Sequence, residues 1–161
     1  MKRHSGRNGH RILGAEGGYH VSADENKALL RRYVKEVWDK QNPDAVDDFL
    51  SPNYKRHRSP TTAPLNREEQ KQLLLRFREA FPDIQLTVEE ILSEDKRIAF
   101  RSTIRATHQG ELFGIEPTGK QITVGLVDVI HIENGKFVEQ WGGPDMLDLI
   151  QQLGAGISVQ P

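Results

Sequence analysis

Between Ser22 and Phe81, apolar residues recur at helical spacing; between Ile84 and Trp141 they recur at strand spacing. Ser22-Ala-Asp-Glu25 predicts a helix start. The serine hydroxyl can accept from an early N–H, and the glutamate can reach back to the cap. Leu30, Tyr33, Val34 and Val37 continue as one stripe, with Trp38 beside it. Asn42-Pro43 ends that helix and opens a short second one, with Pro43 suited to its first turn and Val46, Phe49 and Leu50 as its buried face. Asn66 with Glu69 predicts a third helix carrying Leu73, Leu74, Phe77 and Phe81, closed by Pro82.

The period then changes from 3.6 to 2. Ile84, Leu86 and Val88 alternate with Gln85, Thr87 and Glu89. Beyond the polar turn Ser93–Lys96, Ile98, Phe100, Ser102, Ile104 and Ala106 alternate with Ala99, Arg101, Thr103 and Arg105. That reads as a strand with one wet face. Gln121–Glu133 is rich in Val and Ile and runs into Asn134-Gly135, a two-residue hairpin signal, from which Lys136–Trp141 returns. Pro144 precedes a last short helix, Asp145–Leu153, stopped by Gly154. Helices followed by an antiparallel meander and a terminal helix predict an α+β domain, not a parallel doubly wound sheet. Helices packed on one face of a curved sheet leave room for a cavity at its open end.

Charge changes the picture at the N-terminus. Met1–Ser22 holds Lys2, Arg3, Arg7 and Arg11 against Glu16, has five of the 14 glycines, and shows no periodicity. It reads as a flexible tail (residues 1–22), with residues 23–155 as the folded domain and 156–161 as a C-terminal tail. Over the whole chain of 161 residues, 22 basic and 23 acidic side chains nearly cancel, which argues against a nucleic-acid partner. There is no cysteine, which excludes disulfides, thiolate metal sites and a cysteine nucleophile. No apolar run reaches the roughly 18 residues of a membrane span. The expectation is a cytoplasmic protein with no membrane partner.

Gly114-Ile-Glu-Pro-Thr-Gly119-Lys120 spells most of a phosphate loop, but Gln121 stands where magnesium needs a hydroxyl and the next segment is strand-like. A turn before a strand is the better reading. The remaining acid–base candidates are His57, His108, His131, Asp128, Glu139 and Asp145. A regular two-residue hairpin pairs His131 with Val138 and puts Val127, Val129 and Gln140 on its face, with Asp128, Ile130, Glu139 and Trp141 on the other. A bulge would swap that assignment beyond the bulge. A histidine on such a face serves either as a satisfied structural residue or as a proton acceptor or hydrogen-bond donor. Asp145, in a first helical turn, either complements the helix dipole or, if buried, acts as a base. His108-Gln-Gly110 opens the long loop His108–Lys120, which also carries Phe113 and serves as a lid or as a plain strand connection.

Thr107–Lys120, Asp128–Trp141 and Gly142–Leu147, with Tyr33–Asp39, Ala45–Leu50 and Asn53–His57 before them, resemble the SnoaL-like polyketide cyclases of the nuclear transport factor 2-like superfamily. The resemblance spans about Asp24 to Ala155. It implies a cone-shaped α+β barrel, with three N-terminal helices on a curved antiparallel sheet and a short C-terminal helix, commonly a homodimer through the sheet. It also implies an aspartate acid–base group and an assisting histidine for an intramolecular aldol closure, with no metal and no organic cofactor. By motif position these fall on Asp145 and His131. His57 matches a position that commonly faces the pocket, and Trp38, His108, Phe113, Gln140, Trp141 and Met146 join it as candidate substrate-binding residues. Gly142-Gly143-Pro144, the lead-in to Asp145, departs from the family pattern.

The reading that follows is a cofactor-free cyclase or isomerase (lyase or isomerase chemistry) working by proton transfer at carbon on a hydrophobic carbonyl substrate. The competing readings are a non-catalytic pocket for an apolar small molecule and a dimerisation module.

Overall fold

The computed structural model describes residues 22–155. The C-terminal tail and all of the expected N-terminal tail but Ser22 lie outside the described residues.

Helix α1 (Ala23–Tyr33) opens with the expected capping box: Glu25 N donates to Ser22 Oγ at 3.2 Å, and Ser22 N donates to Glu25 Oε2 at 2.7 Å. It buries Leu30 and Tyr33. Buried Asn26 donates to the Asp95 carbonyl at 2.8 Å, which ties the helix to the turn at the far end of the sheet. The helix then widens into a π-helical stretch, Val34–Asp39, whose Val34 and Val37 stay in the core while Trp38 is half-buried. Such widened turns are uncommon and often sit at functional sites. After a 3-10 turn at Pro43–Ala45, capped by Asn42, comes the single-turn helix α2 (Val46–Phe49).

Strand β1 (Leu50–His57) follows directly, although the sequence placed Leu50 on the buried face of the second helix. Its pattern is blurred because Arg56 shares the inward face with Tyr54, leaving Lys55 and His57 outward. Helix α3 (Arg67–Ala80) begins with the second expected capping box, Asn66 with Glu69, and buries Gln70, Leu74, Phe77 and Ala80.

The meander consists of β2 (Gln85–Glu94), β3 (Arg97–Thr107), β4 (Gln121–Glu133) and β5 (Lys136–Pro144), and α4 (Met146–Leu153) closes the chain. The sheet order is β1-β5-β4-β3-β2. Neighbouring strands are antiparallel except β1, which joins β5 in parallel, so the sheet is mixed and not wholly antiparallel. A parallel neighbour needs a crossover, and here β1 reaches β5 only after α3 and the whole meander. The sheet is open and curled, and the helices pack on its inner face. Ile98, Phe100 and Ile104 of β3 and Ile122, Val124, Leu126, Ile130 and Ile132 of β4 form the inner rows. Each fully buried side chain of this size contributes about 1.5–3 kcal/mol. The Gly114–Lys120 segment leads into β4, as expected of a turn before a strand.

Candidate functional site

The inward row of β4 reads Ile122, Val124, Leu126, Asp128, Ile130 and Ile132. Asp128 is its only charged member and is just 2% exposed. Four polar side chains gather around it. Gln140, inward on β5, donates from Nε2 to Asp128 Oδ2 at 2.9 Å. Tyr54, inward on β1, donates to Gln140 Oε1 at 2.5 Å, which fixes the orientation of that amide. Arg56, two residues further along β1, places Nη2 3.9 Å from Asp128 Oδ1. Gln70 of α3 accepts from Arg56 Nη1 at 3.3 Å.

The cluster forms one wall of a cavity between α3 and the sheet, whose empty space, solvent-open mouth included, is about 510 Å³. Tyr33 and Trp38 also line it, and Leu74, Phe77, Phe100 and Ile104 supply the apolar walls. The size and the mixture of apolar walls with few polar groups suit a small organic ligand.

Burial raises the Asp128 pKa above the ordinary aspartate value; Arg56 and the Gln140 hydrogen bond pull it back only in part. The phenols stay protonated: burial pushes Tyr33 up to about 12 and raises Tyr54 well above its usual value. The site therefore pairs a carboxylate of raised basicity with fixed neutral donors and one cation. Three buried atoms of the cluster have no hydrogen-bond partner: Asp128 Oδ1, Arg56 Nε and Gln70 Nε2. Glycine is required beside it. Gly142 stands opposite Asp128 in the β4–β5 ladder at φ 107°, and a Cβ there would run into the Val127 carbonyl and lie 2.8 Å from Asp128 Oδ1.

Of the candidates drawn from the sequence, Asp128, Trp38 and Gln140 line this cavity, whereas Asp145, His131, His57, His108, Phe113, Trp141 and Met146 do not. Asp145 is exposed and caps α4, accepting from Asp148 N at 3.0 Å. His131 lies on the outer face of the sheet. The two therefore do not converge on the cavity, and an acid–base role for them there loses its geometric ground. His131 points outward because β4 alternates without interruption, and its Ile122-to-Ile132 row, Asp128 included, is the inward one. The bulge acts on β5, where Glu139 pairs with His131 and Phe137 with Ile132, so Val138 is the extra residue. Beyond it β5 is rotated by one position relative to regular pairing, which turns Gln140 inward and Glu139 and Trp141 outward.

His57 and Trp141 also lie outside. Their rings stack at 4.8 Å and 9°, and His131 leans on Trp141 at 4.7 Å. His57 Nε2 is 3.2 Å from Glu139 Oε1. Met146 packs against the hydrophobic core. His108 is fully buried and braces its loop: Thr118 N donates to Nδ1 at 3.2 Å, and the ring lies 5.4 Å from Phe81. Burial lowers its pKa. Phe113 is 53% exposed and meets the edge of Phe77, outside the cavity lining. Sequence reasoning missed Arg56, Gln70 and Tyr54. Asp128 carried a usable signal, a charge within the apolar row Ile122 to Ile132, but Val127 and Val129 made the opposite face of β4 look equally apolar. Among the described residues no three His, Asp or Glu side chains cluster to hold a metal ion, and no helix is long and apolar enough to cross a membrane.

An α+β cone with an inner cavity and a buried carboxylate defines the class, the nuclear transport factor 2-like fold. Within it, residues 28–153 match the model of the SnoaL-like polyketide cyclases, and the chain belongs to that family. AclR from Streptomyces galilaeus, a proposed hydroxylase, is 32% identical with a TM-score of 0.77, over 86% of this chain and 87% of that one. TsrD from Streptomyces laurentii is 26% identical (TM-score 0.74; 84% and 98% covered). A proposed polyketide cyclase from Acidithiobacillus ferrooxidans is also 26% identical (TM-score 0.71; 80% and 94% covered). Comparison with curated proteins finds no match.

Proposed function

We propose that this chain is a cofactor-free enzyme of the cyclase or isomerase type that moves a proton at carbon on a hydrophobic carbonyl substrate, with Asp128 as its acid–base group. The observation that carries the reading is the position of Asp128: 2% exposed, on the cavity wall, with one oxygen held by Gln140 and the other unpartnered. A carbon acid between two carbonyls is acidic enough for a carboxylate base, and the rise in pKa that burial gives Asp128 makes it a stronger one. Gln140, itself held by Tyr54, keeps the carboxylate oriented. The apolar walls fold the substrate and exclude water from the carbanion, which then attacks a second carbonyl.

The test is proton–deuterium exchange at the central carbon of a β-keto ester in heavy water, followed by NMR. The wild type should accelerate exchange, and Asp128→Asn should lose roughly 10²-fold or more, the usual scale of one acid–base group. Binding of the ester without accelerated exchange would favour the non-catalytic pocket instead.

We also propose a homodimer through the outer face of the sheet. Val127 is 58% and Val129 37% exposed at the centre of that face, beside the Trp141 stack. Adjacent exposed valines on a broad strand surface favour a second copy over water.

A further inference from the structure

Arg56 is a buried guanidinium with fewer partners than its five N–H groups require. It is 7% exposed. Among the described residues it donates to Gln70 at 3.3 Å and stands 3.9 Å from Asp128, too far for a hydrogen bond, with Nε unpartnered. Gln70, fully buried, likewise has a free Nε2. A bidentate ion pair with Asp128 would have satisfied the arginine, and the fold does not make one. Unmade hydrogen bonds at buried charged groups are costly, so the cluster is organised for an acceptor that arrives with the ligand.

We infer that Arg56 and Gln70 form an oxyanion subsite, and that Arg56 exchanges counterions during the reaction, from the Asp128 carboxylate to the oxygen of the substrate enolate. The inference rests on the role proposed for Asp128. When Asp128 Oδ1 takes the proton, a C–H bond breaks, an O–H bond forms, and the electron pair moves onto the carbonyl oxygen. The negative charge leaves the carboxylate and appears on the substrate, so the net charge of the buried site is unchanged. A cation within reach of both positions stabilises the enolate without moving far, and the free amide of Gln70 supplies a second donor. Returning the proton to carbon restores the original pairing. The substrate carbonyl thus points toward β1 and α3, with its acidic carbon toward β4.

The experiment is ultraviolet difference spectroscopy with acetylacetone at neutral pH, where the free compound is un-ionised and its enolate absorbs at longer wavelength than its enol. The wild type should show a bound-enolate band. Arg56→Met should lose the band, Arg56→Lys should recover part of it, and Gln70→Leu should bind the enolate about tenfold more weakly, the scale of one hydrogen bond to a charged group. Asp128→Asn should keep or strengthen the band, because the competing carboxylate is gone, even as carbon exchange is lost. A wild type that binds only the neutral enol overturns the inference, as does a band undiminished in Arg56→Met. If Arg56→Met fails to fold, an undiminished band in Gln70→Leu together with its loss in Asp128→Asn overturns it as well. Equal exchange rates in wild type and Asp128→Asn would sink the role of Asp128, whereas the response of the band to Arg56 judges the subsite alone.

Discussion

Asp128 and Asp145 are both acidic residues in the segments that carry the family likeness, and their surroundings give them opposite behaviour. Asp145 sits in solvent and satisfies a helix N-terminus. Asp145→Ala should cost about 1 kcal/mol through loss of the cap and leave carbon exchange intact, while Asp145→Asn should be close to neutral in a thermal melt. Asp128 should set the acid limb of the pH–rate profile. Its raised pKa places the midpoint above the ordinary aspartate value of 3.8, and Arg56→Met should move it higher still, because Arg56 is the main influence lowering it. His108 makes a separate prediction for stability. Its folded pKa lies below the ordinary 6.5, so the unfolded chain takes up the proton first. The contribution of neutral His108 is present above pH 6.5 and is lost as pH falls from there toward the folded value. Melts taken from pH 7.5 downward should therefore fall more steeply for the wild type than for His108→Gln.

At the scale of elements, the β4–β5 hairpin decides which side chains meet. The bulge at Val138 brings Gln140 to the inner face, where Tyr54 and Asp128 hold it, and sends Trp141 outward to His57. The same hairpin needs its glycine opposite Asp128. Gly142→Ala should cost about 1–3 kcal/mol from the positive φ alone, and more from the clash with the Val127 carbonyl. Its carbon exchange should fall as well, since the added methyl crowds the free oxygen of Asp128. A melt lowered by less than a few degrees, with exchange intact, would show that the strand end shifts without cost. The π-helical stretch after α1 works in the same way: it keeps Val34 and Val37 in the core while Trp38 reaches the cavity.

The whole molecule divides its sheet into two faces, an inner one that lines the cavity and an outer one, with Val127 and Val129 exposed, on which the dimer is proposed. Light scattering at micromolar concentration should give about twice the 18.3 kDa chain mass. Val127→Asp, which puts a charge at the centre of the outer face, should give a monomer whose cavity still binds acetylacetone. A wild-type monomer at high concentration would refute the dimer. What the sequence by itself determined is the part governed by local rules. Both capping boxes, the stripes of the first and third helices, the period-2 rows of β3 and β4 and the Asn134-Gly135 turn depend on neighbours a few residues apart and appear where expected, whereas Leu50, expected on the second helix, opens β1. Strand β1 escaped notice because its inward positions include an arginine that only a distant carboxylate makes tolerable. Tertiary structure alone decided the site. A one-residue bulge reversed the faces of β5, and Tyr54, Arg56, Gln70, Asp128 and Gln140 come from four elements up to 86 positions apart. Their meeting depends on the register of β1 against β5 and on the packing of α3 against β1, and neither leaves a periodic trace in the chain.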